Sequence, residues 1–168
     1  MNNPLNNDEL PLASITSEIR ADLETLYASL DAEIAEASPR CDASGRCCRF
    51  KEYGHTLFLS QVEASLLLEP GLPEGAEVSD ECCPYQVNGL CTARNRRPLG
   101  CRIYFCDPAF QERQSELSER YLGKLKRLHE VWKKGWSYRP LRAFLDESVE
   151  NSSQESKTNP LRVIRDLP

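Results

Sequence analysis

At 168 residues, with 40% hydrophobic and 28% charged side chains, the chain is long enough to bury one core, which argues against wholesale disorder. A formal net charge of −5 argues against generic binding to nucleic acid or to an anionic membrane. No run approaches the roughly 20 apolar residues of a membrane span. The opening segment MNNPLNNDELPLAS has neither a basic flank nor an apolar stretch, so the expected location is the cytoplasm.

Residues 12–37 read as a helix, because Ile15, Ile19, Leu23, Leu26, Leu30 and Ile34 recur at three- and four-residue steps before Pro39. From Leu5 to Ala37 the chain is acidic: Asp8, Glu9, Glu18, Asp22, Glu24, Asp31, Glu33 and Glu36 stand against one base, Arg20. HTLFL (55–59) reads as a short strand. Ser60 and Glu63 form a capping-box pattern that opens a short helix through Glu69. Residues 70–80 form a loop rich in proline, glycine and acid, and residues 82–107 show no sustained periodicity. A second long helix is expected from Pro108 to Trp136, with Phe110, Leu117, Tyr121, Leu125, Leu128 and Trp132 on one face. Its surroundings are basic, so the two long helices are expected to pack antiparallel, acidic against basic; a coiled-coil dimer is the alternative. A short helix over 139–148 follows, and 149–168 reads as a mobile tail. The expected fold is mainly α: one domain, 1–148, with long N- and C-terminal helices around an irregular cysteine-rich metal-binding core at 41–107.

The chemistry lies in eight cysteines in two groups. Cys41, Cys47 and Cys48 stand in CDASGRCCRF; Cys82, Cys83, Cys91, Cys101 and Cys106 stand in ECCPYQVNGLCTARNRRPLGCRIYFC. In a reducing cytosol this usage points to metal or redox chemistry before disulfides. Arg94, Arg96, Arg97 and Arg102 lie in the second group, and Arg40, Arg46, Arg49 and Lys51 surround the first. Cations beside thiols favour the thiolate, the form that binds metal. No C-x-x-C knuckle is present, so neither a standard zinc ribbon nor a thioredoxin motif is expected, and the regular ferredoxin spacings are absent too. Adjacent cysteines such as Cys47 and Cys48 project differently in most backbone conformations. One of them is then a spare buried thiol, or the pair bridges a multinuclear centre.

The run CPYQVNGLCTARNRRPLGCRIYFC, from Cys83 to Cys106, resembles the signature of the YkgJ-like cysteine-cluster proteins, described as having a zinc- or iron-chelating domain. Their upstream motif CxxCxxCC is matched at Cys41, Cys47 and Cys48, and the resemblance covers about residues 41–107. Ser44 stands where the motif has its second cysteine, and serine is a poor ligand for soft metals. Cys82 is the candidate replacement. The resemblance implies a metal site drawn from Cys41, Cys47, Cys48, Cys82, Cys83, Cys91, Cys101 and Cys106, holding an iron–sulfur cluster, slightly preferred for so many thiols, or zinc.

His55, close to the first group, is a further candidate ligand, whereas His129 is expected to face solvent. Tyr85, Tyr104 and Phe105 lie among the cysteines as water-excluding packing. No GxGxxG, Walker loop, HExxH or GxSxG occurs, so nothing positively identifies an enzyme. The expected partner is a metal ion, with no nucleic acid or membrane. Two other readings stay open. One is a redox enzyme or accessory factor for a modification reaction, by analogy with similar cysteine regions attached to a flagellin lysine methylase; the other is a zinc-stabilised interaction protein.

Overall fold

The computed structural model describes residue 12 and residues 14–148. The segment 149–168, expected to be a mobile tail, lies outside the described residues. The fold is mainly helical. Helix α1 (Ser17–Ala37) and helix α5 (Gln111–Val131) are the long elements; α2 (Phe50–Tyr53), α3 (Gln61–Leu68), α4 (Leu99–Ile103) and α6 (141–148) are short. Two small antiparallel sheets complete it, β1 (Phe58–Ser60) with β4 (Tyr138–Pro140) and β2 (Gln86–Val87) with β3 (Leu90–Cys91). No helix among the described residues is long and apolar enough to cross a membrane.

The apolar stripes did what their spacing implied. Ile19, Leu23, Leu26, Leu30 and Ile34 of α1 are buried against Leu117, Tyr121 and Leu125 of α5, with Leu99 and Ile103 of α4 in the same cluster. The helices run antiparallel. Glu33, late in α1, accepts hydrogen bonds from Arg120 and, at 2.6 Å, from the Tyr121 hydroxyl. Asp22, early in α1, accepts from Trp132 Nε1 at 2.7 Å. The acidic helix thus meets the basic one where the charge pattern indicated.

Several boundaries differ from expectation for local reasons. Helix α1 begins at Ser17, not residue 12, because Thr16 caps it by accepting from Ile19 N–H. Helix α5 follows a 3₁₀ turn at Pro108–Phe110 and stops at Val131, short of Trp136. Lys133 there takes φ 54°, and Lys134 N–H closes on His129 C=O at 3.0 Å, a left-handed helix stop that no glycine marks. The strand expected at 55–59 is confined to Phe58–Ser60, where β4 supplies a partner, and β4 itself takes the first residues of the helix expected at 139–148.

A second apolar cluster sits behind β1. Leu57, Leu59, Ala64, Leu67, Leu141, Phe144 and Leu145 pack there together with Cys48, Cys83 and Tyr85, and Cys91 and Cys101 border it. The capping box at Ser60 and Glu63 is present, and Glu63 does more than cap. Its buried carboxylate also accepts from Leu99 N–H at 2.8 Å and from Tyr27 OH at 3.2 Å, tying α3 to the start of α4 and to α1. Desolvation raises its pKa, partly offset by these donors.

Candidate metal centre

The two cysteine segments meet through their backbones. Cys83 N–H donates to Cys48 C=O at 2.7 Å, and Lys51 N–H donates to Glu81 C=O at 3.2 Å. Gln86 Nε2 donates to Gly45 C=O at 2.9 Å. Gly45 has φ 70°, and a β-carbon there would lie 2.4 Å from Gln86 Nε2 and 2.8 Å from Gly89 C=O, so the junction admits only glycine without rearrangement.

Residues 82–107 are more regular than their sequence suggested. Asn88 and Gly89, both at positive φ, make a two-residue hairpin turn between β2 and β3 and deliver Cys91 opposite Gln86. The Asn-Gly dipeptide was the signal that could have revealed this hairpin. Helix α4 then buries Leu99 and Ile103 in the main core and turns Cys101 toward the first segment.

Cys41, Cys47, Cys48, Cys83, Cys91, Cys101 and Cys106 line one cavity of about 410 Å³. Cys82 does not: its Sγ lies 3.1 Å from Gln86 Oε1 on another side of the loop. Ser44 lines the cavity. The structure therefore brings seven of the eight candidate sulfurs to one space, while Cys82 stays away from the position it was expected to fill.

All eight cysteines are free thiols. The 3₁₀ turn Arg46–Cys48 sets the sulfurs of Cys47 and Cys48 3.9 Å apart, so these adjacent residues face the same space after all. Cys48 also interacts with the thiols of Cys83 and Cys91. Hydrogen bonding from Cys48 pulls the Cys47 and Cys91 thiols down to about 6 and lowers Cys83, while the Cys48 thiol itself is raised. Burial pushes Cys101 well up, its nearest influences being the sulfurs of Cys83, Cys91 and Cys47. Among the described residues, no three His, Cys, Asp or Glu side chains stand as a ready-made metal site.

No family model, curated protein or solved structure matches this chain.

The charge around the cavity sorts the eight cations noted from the sequence. Arg40, Arg46, Arg94 and Arg97 line the wall. Arg49, Lys51 and Arg102 are ion-paired with Glu52, Glu81 and Asp31. Arg96 is not in the wall. Arg40 is paired with Asp42, but Arg46, Arg94 and Arg97 have no carboxylate partner among the described residues. Arg97 lowers the pKa of Cys47 and of Cys91, with Arg94 adding to the effect on Cys91.

Tyr85, Tyr104 and Phe105 all border the cavity. His55 stands beside it: Nε2 lies 3.1 Å from Cys47 C=O, and the ring stacks on Tyr104 with centroids 5.0 Å apart. Nε2 meets a backbone carbonyl, and Nδ1 is buried without a hydrogen-bond partner among the described residues. His129 contradicts its expected solvent exposure. It is 1% exposed, with Nδ1 3.1 Å from Gly135 C=O and its ring against Trp132 and Trp136. The chain folding back after α5 covers a face that helical spacing alone leaves open.

Proposed function

We propose that the chain is a cysteine-cluster metal-binding protein related to the YkgJ-like family. Cys47, Cys48, Cys83, Cys91 and Cys101 are the resident donors, and an iron–sulfur cluster is favoured over zinc. The observation that carries the reading is the gathering of seven thiols from two segments, about thirty residues apart in sequence, around one cavity. The donor set fits the group chemically: soft sulfur ligands, with Arg46, Arg94 and Arg97, which have no carboxylate partner among the described residues, to offset the negative charge of metal-bound thiolates. Zinc usually takes four ligands in a closed tetrahedron. A thiol-lined space of about 410 Å³ is larger than one tetrahedral zinc fills, which favours the larger cluster. A cluster held here would supply one-electron transfer or a structural anchor, tuned by the burial and the tyrosines of the wall.

Anaerobic purification followed by elemental analysis and optical spectroscopy tests the proposal. The expected result is brown protein with iron and sulfide in stoichiometric amounts, bleached by dithionite. Colourless protein with one zinc per chain would keep the metal site and replace the cluster. Neither metal at stoichiometric level would end the proposal.

A further inference from the structure

We infer that Cys41 and Cys106 form an entry station at the mouth of the cavity, which captures a thiol-bound soft cation and passes it inward by ligand exchange. The inference rests on the metal-binding reading above and concerns how that site is filled.

The seven cavity thiols differ in exposure by position. Cys41, Cys47 and Cys106 are exposed, Cys91 and Cys101 are intermediate, and Cys48 and Cys83 are 7% and 8% exposed. Sulfur thus grades from the surface to the floor of the cavity. The chain segments beside the outer two are tied to each other. Arg40 N–H donates to Asp107 Oδ2 at 3.0 Å, while the Arg40 guanidinium bonds Asp42. The flanks of Cys41 are therefore fixed to the residue following Cys106. Tyr104, whose hydroxyl contacts Cys106, is held by its stacking on His55. A mouth built this firmly, with two exposed thiols in it, is not explained by the needs of the interior. A zinc ion or a four-cysteine cluster is satisfied by four sulfurs, which Cys48, Cys83, Cys91 and Cys101 already offer.

Exposed thiols also solve a kinetic problem. Cys48 and Cys83, at 7% and 8% exposure, offer little access to a soft cation still carrying small thiol ligands. At the mouth, Cys41 and Cys106 displace carrier thiolates one at a time, each new metal–sulfur bond replacing one that breaks. Cys47, exposed and 3.9 Å from the Cys48 sulfur, is the next acceptor, and the interior thiols then displace the outer pair. Each incoming thiol releases its proton to solvent, the departing thiolate recovers one, and no electron changes hands.

The test is loading of the reduced, metal-free full chain with Co²⁺, whose thiolate charge-transfer band reports both the rate and the number of sulfurs bound. Wild type is compared with the double variant Cys41→Ser/Cys106→Ser, with Cys91→Ser as an interior control. The expected result is an unchanged end-point band and stoichiometry in the double variant, reached roughly tenfold or more slowly, since exchange at sulfur depends on access. Cys91→Ser is expected to lose end-point intensity. Loss of stoichiometry or band intensity in the double variant would make Cys41 and Cys106 resident ligands and overturn the inference while leaving the metal site standing. Loading at the wild-type rate would overturn it as well. Wild type that takes up no cobalt would remove the metal-binding reading and the entry station together.

Discussion

Cys82 and Cys83 are adjacent in sequence and opposite in circumstance. The Cys83 sulfur sits on the cavity floor beside Cys48, whereas Cys82 turns away to Gln86, and burial raises its pKa rather than favouring a thiolate. Cys82→Ser is therefore expected to keep full metal content, and Cys83→Ser to lose most of it, measured as metal per chain after anaerobic purification. Equal losses would show that the loop rearranges to bring Cys82 in. The neighbouring constraint is Gly45. Alanine there meets a positive φ as well as a backbone oxygen 2.8 Å away, and only the Gln86 side chain can move aside cheaply. Gly45→Ala is expected to cost about 1–3 kcal/mol in chemical denaturation, the usual range for a strained backbone position. It should also lower metal content, because the Arg46–Cys48 turn hangs from that residue.

At the scale of elements, the two long helices were legible because burial imposes a repeating signal on them; Ile19, Leu23, Leu26, Leu30 and Ile34 all reach the core, and the stripe missed Tyr27. Their ends were less so, since a left-handed stop at Lys133 leaves no glycine to read. The β2–β3 hairpin left a local mark at Asn88 and Gly89, but two-residue strands are too short to show periodicity. What no local pattern could reveal is which of eight similar cysteines faces inward, because that depends on pairing between segments far apart in sequence. The same limit hid His129. The return of the chain through Gly135 and Trp136 buries it, and desolvation lowers its pKa. Below the ordinary histidine range near 6.5 the unfolded chain takes up a proton that the folded one resists. Stability contributed by neutral His129 is therefore present above that range and lost as pH falls through it, with a slope of at most about 1.4 kcal/mol per pH unit. Urea denaturation between pH 7.5 and 5.5 should show this decline, and His129→Gln should flatten it; the difference between the two proteins cancels every other titrating group. An identical slope in the variant would assign the pH dependence elsewhere.

For the molecule as a whole, stability is divided between two apolar clusters, and only one contains sulfur. The first, between α1, α4 and α5, is closed by leucine, isoleucine and aromatic packing and by the Glu33 and Asp22 contacts across the helices. The second includes Cys48 and Cys83 and is bordered by Cys91 and Cys101, under loops in which Arg46, Arg94 and Arg97 have no carboxylate partner among the described residues. Removing a metal takes its binding free energy from the folded state, about 4 kcal/mol where free metal exceeds Kd a thousandfold. That loss falls first on the second cluster, which holds Cys48 and Cys83, whereas the first contains no cysteine and meets the cavity through α4 and Phe105. Helix α4 is short, but Glu63 holds its first N–H and Arg102 bonds Asp31, so it stays attached to the main core when the loops loosen. Chelation of the loaded protein should therefore lower the melting temperature and open protease sites within 41–57 and 82–97. Most of the far-UV helical signal should survive, and the α1–α5 pair should remain as the resistant fragment. If the helices melt together with the loops at a single midpoint, the two clusters form one cooperative unit. If protection is the same with and without metal, the loops are ordered by their own hydrogen bonds, Cys83 to Cys48 and Gln86 to Gly45 foremost among them.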